Sequence, residues 1–287
     1  MTLNDIRLLF NRAISLTFNW KKFFLTSAFL LLCGLLFVFF RGLGLSAGKW
    51  IFISLNFVSI FSSLPLLLCL GILLTRIYHD ELKQRDYSFR RITFNSWDIL
   101  IGSSFCSLPF VLAYLFLWIF LGIFILMSEI PKVGLFFASV LAFIPFILNL
   151  LSVGLILLAF AILFTVTPVL ALKRLDPIYI FRVVLQRLMS DFFSNMLLAL
   201  VSVIPLAILA SLLWLSASLT EFSLSVPEES LLKTVYSFFI MVPSAAVLAP
   251  GVILFFNLAL ESHILLVKTT ANSFSKSMDF HDNLVRF

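Results

Sequence analysis

Ionisable and amide side chains are so sparse in this chain that each one able to do chemistry can be weighed separately. The run His79-Asp80-Glu81 is the most compact set of groups that could ligate a metal or exchange protons. Consecutive residues on a helix project in different directions, so these three do not converge unaided, and neither a catalytic nor a metal site is expected there. His281, with Asp279 and Asp282, lies in a polar tail and is weaker still. Glu261 and His263 follow the last long apolar run and are the nearest candidates for a proton site. Polar residues gather at membrane edges in any polytopic protein, so the pair reads as ordinary interface.

Three amides, Asn56, Asn149 and Asn257, fall inside apolar runs. Each can line a pathway or bond a neighbouring helix. The bond is preferred, because a polar group in lipid takes any partner within reach. The stretch PSAAVLAPG, Pro243 to Gly251, sets Ala245 and Ala249 four residues apart ahead of Pro250-Gly251. Small residues so spaced let helices pack closely, whereas a helix broken at Pro250 and Gly251 would line a cavity. Packing is again preferred. Gly44-x-x-x-Gly48 has a dimerisation spacing but is expected in the first outer loop. Cys33, Cys69 and Cys106 are scattered, without the C-x-x-C spacing of a redox or zinc site. G-x-x-x-x-G-K-[ST], G-x-S-x-G and H-E-x-x-H are absent, so nucleotide, serine-hydrolase and zinc-protease chemistry lack their local signatures. No enzyme activity, metal or cofactor is expected.

The elements that must carry these residues are set by hydrophobicity. Apolar residues make up 62% of 287 and charged residues 12%, against roughly half and a quarter in soluble domains. A helix crossing the hydrocarbon core needs about 20 mostly apolar residues. Windows free of Asp, Glu, Lys and Arg run over Phe23–Phe40, Trp50–Thr75, Ile99–Ser128, Val133–Leu172, Phe192–Thr220 and Thr234–Leu260. They lack the alternation of barrel strands. The fold class is therefore all-α: a single polytopic membrane domain of six transmembrane helices, at about 23–40, 50–75, 99–128, 147–169, 192–220 and 234–260. The fourth window is too long for one crossing. We place its span at 147–169, with an apolar piece around 134–143 at the outer interface. The first run exceeds the 7–15 apolar residues of a signal peptide, and an uncleaved helix is expected.

Amphipathic interfacial helices are expected on the cytoplasmic side at about 3–20, 87–97 and 177–190. The last opens at Asp176-Pro177, a helix-start signal, and carries a polar stripe of Tyr179, Arg182, Gln186 and Ser190. Arg12, Arg90, Arg91, Arg182 and Arg187 are the candidate contacts to lipid headgroups. Phenylalanine followed within two residues by arginine recurs in all three segments, at Phe10-Asn11-Arg12, Phe89-Arg90-Arg91 and Phe181-Arg182, as a threefold repeat would require. Interface composition alone produces the same pattern and is the preferred explanation.

With both termini inside, the inner segments hold Arg7, Arg12, Lys21 and Lys22; Arg76, Lys83, Arg85, Arg90 and Arg91; Lys173, Arg174, Arg182 and Arg187; and Lys268, Lys276 and Arg286, 16 of the 20 basic residues. Lys and Arg favour cytoplasmic loops. A seven-span alternative, dividing Val133–Leu172 at Pro145 and Asn149, places the four basic residues of 173–191 and the C-terminal three outside and is disfavoured. The net charge of +6 points to anionic lipid on the cytoplasmic side and not to nucleic acid; a membrane-protein partner is also compatible.

Thr167-Pro168 closing the fourth span, the charged turn Lys173–Asp176 and the amphipathic helix after it give the chain a local pattern. In this pattern and in topology it resembles a broad group of bacterial six-span membrane proteins that includes the membrane domains attached to some glycerophosphodiester phosphodiesterases. The resemblance implies six helices and a lipid-related role, and carries no catalytic residue over. The favoured expectation is a non-enzymatic scaffold, assembly partner or lipid-handling component of a bacterial inner membrane. A small permease or membrane subunit of a transporter is the alternative. A headgroup-modifying enzyme built around His79-Asp80-Glu81 is the third. Reporter fusions after Leu175 and after Ser225 are expected to read inside and outside, respectively; an outside signal at Leu175 would exclude the six-span topology.

Overall fold

The computed structural model describes residues 3–44, 48–84, 101–102, 104–130, 134, 139–172, 192–224 and 231–284. Its helices are α1 (Leu3–Ser15), α2 (Trp20–Gly44), α3 (Lys49–Leu82), α4 (Leu108–Ser128, with the 3-10 turn Phe105–Ser107 ahead of it), α5 (Phe143–Leu172), α6 (Phe192–Leu224) and α7 (Leu231–Leu284). No strand occurs among the described residues. Six helices are long and apolar enough to cross a membrane. Phe116, Leu126, Leu157, Leu200, Trp214 and Leu219 stand exposed on the outer helices. Water-soluble monomers rarely expose so much contiguous apolar surface, and hydrocarbon is the solvent that suits it.

Local chemistry sets the helix ends. Asn19 accepts the Lys21 backbone N–H on Oδ1 at 3.1 Å, an N-cap bond. The expected helix at 3–20 therefore stops at Ser15, and α2 begins at Trp20, so that Lys21 and Lys22 are inside it. Pro109 stands in the first turn of α4 and Pro145 near the start of α5. Proline is tolerated there because first-turn N–H groups have no intrahelical partner. Helix is also present at 101, 102 and 104, ahead of the 3-10 turn, so the expected start near 99 falls outside the described residues, while α5 starts before the expected 147. α3 continues past Thr75 to Leu82, carrying Arg76 and His79-Asp80-Glu81 within helix. α7 continues through the expected polar tail to Leu284. Gly44 lies in the last turn of α2, not in a loop; a Cβ on it would sit 2.8 Å from the Phe52 ring. The expected interfacial helices at 87–97 and 177–190, with Arg90, Arg91, Arg182 and Arg187, lie outside the described residues, and with them the surface-helix parts of two of the three units of the possible repeat.

α3 is the central element. In its membrane window 56% of residues are buried, against 11% in α2, α4 and α6. It packs against α2, α4, α5 and α7. Leu70 and Leu74 of α3, Leu163 and Phe164 of α5, and Ile253 and Phe256 of α7 form the middle of the core. Gly71 makes that meeting possible: a Cβ there would lie 2.4 Å from Cε1 of Phe256 and 2.7 Å from Cγ2 of Thr167. On the other flank, Tyr114 of α4 stacks on Phe61 with centroids 4.8 Å apart. Its hydroxyl donates to the Ser54 carbonyl at 2.9 Å, so the buried phenol is satisfied.

Gly154 offers a control, since a Cβ there meets nothing within 4 Å. Gly71→Ala is expected to destabilise the folded protein by about 1–3 kcal/mol through overpacking. Gly154→Ala is expected to be neutral or to gain up to about 1 kcal/mol from helix propensity. Thermal unfolding in detergent micelles compares the two.

Candidate functional site

Charged side chains gather at one end of the bundle, where α2 begins and α3 ends. Lys22 is fully buried. A buried ammonium must spend its three N–H donors on acceptors. Its Nζ donates to the Leu16 carbonyl at 3.0 Å and pairs with Glu81 Oε2. It also lies 5.0 Å from the ring centroid of Tyr78, so the aromatic face supplies a third favourable contact. The other carboxylate oxygen of Glu81 accepts from Asn19 Nδ2 at 2.9 Å. Asn19 thus caps α2 with one end of its amide and holds Glu81 with the other.

Tyr78 carries the network to α7. Its hydroxyl donates to Glu261 Oε1 at 2.8 Å, and Nε of Arg12 approaches the same oxygen at 3.5 Å. Glu261 is 2% exposed, whereas the Arg12 side chain remains 58% exposed. One turn deeper, Asn257 Nδ2 donates to the Ala13 carbonyl at 3.3 Å and to Thr17 Oγ1 at 3.4 Å. The Thr17 hydroxyl donates in turn to Ala13 at 2.7 Å. α1 is therefore fastened across the middle of α7 by an amide hydrogen bond and an ion pair. Arg76 adds a tie to α5, its Nε donating to the Ala171 carbonyl at 3.0 Å. Two cations, Lys22 and Arg12, face two anions, Glu81 and Glu261. The quartet is neutral within itself and joins α1, α2, α3 and α7.

A cleft of about 290 Å³ opens beside this clasp. Phe18, Trp20 and Phe23 form one wall, and Pro250 and Ile253 of α7 form the other. Thr17 and Asn19, both members of the clasp, stand at its edge. Phe18 is 82% exposed and Trp20 74% exposed. Trp20 stacks on Phe24 at 5.8 Å, which holds its indole beside the opening. A second groove, along Leu32, Leu35, Phe39 and Leu66, is wholly apolar and gives a bound molecule no polar anchor.

The residues singled out from sequence meet different fates. Asn257 makes an interhelical bond, while its Oδ1 has no hydrogen-bond partner among the described residues. Asn56 is half-buried and its Oδ1 is likewise unpartnered there. Asn149 is exposed on α5 and bonds no neighbouring helix among the described contacts. Pro250 and Gly251 lie inside continuous helix; Ala245 and Ala249 are buried, and Gly251 approaches Leu206 and Leu209 of α6. Glu261 is not an interfacial group in water, as its position after the last apolar run suggested, because α1 covers it. Of His79-Asp80-Glu81, Glu81 alone belongs to the clasp, and no group of three metal-ligating side chains is present among the described residues. Arg12, expected at lipid headgroups, is committed on one side to Glu261.

Lys22 entered the sequence reading only as one of the inner basic residues, and Tyr78 and Asn19 were not singled out. A search for windows free of charge places Lys22 outside the membrane by construction. The available signal was the doublet Lys21-Lys22 against the first apolar residue, mirrored by Glu81 and Glu261 just past the ends of two other runs.

The fold and this clasp define an all-α, multi-pass membrane protein whose first helix is bonded across its last. Comparison with protein-family models, with curated proteins and with solved structures finds no match for the chain.

Lys22→Met leaves the Glu81 carboxylate without its counter-charge and is expected to destabilise the bundle by about 3–5 kcal/mol. Combining it with Glu81→Gln is expected to recover much of that loss. A double-mutant cycle on thermal unfolding in detergent measures the coupling; additive effects would show that the pair does not clasp the helices.

Proposed function

We propose that the protein is a non-catalytic, lipid-handling component of a bacterial cytoplasmic membrane, with both termini on the cytoplasmic side. The observation that carries this reading is the aromatic cleft between the start of α2 and α7, with a volume of about 290 Å³. It lies at the end where the helices meet water, within reach of membrane lipid. The bias of basic residues toward the inner segments read from the sequence supports taking this end as the cytoplasmic one. The charges there favour a structural role over proton exchange: Lys22 and Glu81 satisfy each other, and Glu261 is committed to Tyr78 and Arg12. What remains open is apolar and aromatic, and suits a hydrocarbon chain.

Native mass spectrometry of the protein released from membrane nanodiscs is expected to show a retained phospholipid. Phe18→Ala and Trp20→Ala act on side chains largely exposed and are expected to reduce that retention while leaving the unfolding temperature nearly unchanged. A stoichiometric protein partner with no retained lipid would overturn this reading in favour of an assembly role.

A further inference from the structure

We infer that the cleft takes one acyl chain of an anionic phospholipid, whose headgroup faces the exposed basic side chains Arg12 and Lys21. The inference rests on the lipid-handling reading and names the lipid class. Pro250, Ile253, Asn257 and Glu261 follow one another on α7 at steps of three or four residues and so share one face of the helix. That face passes from the cleft wall at Pro250 and Ile253, to the amide bonded to Ala13, to the carboxylate paired with Arg12. Eleven residues of helix rise about 16 Å, close to half of a hydrocarbon core about 30 Å thick. The order from apolar wall to guanidinium therefore matches a phospholipid in polarity.

The charge is not symmetric at this end. Glu81 and Glu261 are turned inward against Lys22, Tyr78 and Arg12. Arg7, Arg12 and Lys21 remain exposed. Half-buried Asp80 offsets part of this, and with Glu81 and Glu261 held inward the exposed cations leave the surface around α1 and the start of α2 with an outward positive bias, although the clasp itself is neutral. The adjacent lysines divide the work: Lys22 is consumed inside, while Lys21 stands exposed beside Trp20, which lines the cleft. Tryptophan and basic residues together are suited to the headgroup level, and a phosphodiester is the anion found there.

The test uses the full-length chain in nanodiscs containing equal amounts of phosphatidylglycerol and phosphatidylcholine, with retained lipids identified by native mass spectrometry. Phosphatidylglycerol is expected to be retained in clear preference. Lys21→Gln is expected to cut that preference about fivefold, the worth of one basic residue near the surface. Arg12→Lys, which keeps the charge, is expected to preserve the preference. Equal retention of the two lipids by the wild type, or an unchanged preference in Lys21→Gln, would overturn the anionic assignment while leaving the lipid-handling reading intact. No retained lipid of either kind would remove both.

Discussion

An ammonium group withdrawn from water has to be neutralised where it stands, and the arrangement of this protein at one end depends on how Lys22 meets that demand. The cost of burying an unpaired charge is several kcal/mol even after relaxation. The Lys22 environment removes it with a carbonyl, a carboxylate and an aromatic face drawn from the α1–α2 connection and from α3. Each partner is itself held: Glu81 by Asn19, and Tyr78 by Glu261. The register between α2 and α3 at this end follows from that arrangement. The position of α7 follows through Tyr78. Dispersion between apolar helices in lipid has little directional preference; a fully bonded charge has a great deal.

Small residues do the complementary work farther along the helices. Gly71 lets α3 approach Phe256 and Thr167, and Gly251 lets α7 approach α6. Ionic contacts at the end and glycine contacts within the bundle are different physical devices for the same task, the choice of one packing among many that bury similar apolar surface. The continuity of α7 through Pro243 and Pro250 belongs to this packing. The buried small residues Ala245 and Ala249 stand where a broken helix would have placed a cavity.

The membrane-crossing elements were legible in the sequence because hydrocarbon imposes a length and a composition that a window of residues either meets or does not. Helix ends were less so: Asn19 and Pro145 moved them by a few residues through capping and first-turn chemistry that hydrophobicity does not register. The clasp was hardly legible. Its contacts join residues separated by 59, 62, 183 and 244 positions, and nothing local to Lys22 distinguishes it from Lys21, which stands exposed. Asn257 drew notice because an amide inside an apolar run needs a partner. Glu261 was misplaced because the helix that covers it lies at the far end of the chain.

That separation bears on biosynthesis. α1 is made before α7, and its Ala13 carbonyl receives the Asn257 amide only after 244 further residues have been made. At about 5–20 residues per second this is a delay on the order of 10–50 s. Lys22 waits for Glu81 over a quarter of that interval, its charge sheltered meanwhile by headgroups, water or the insertion machinery. The bundle is thus closed by its last helix onto its first. A chain cut short before Asn257 leaves α1 without that fastening, so a bound α1 marks synthesis that has passed this point.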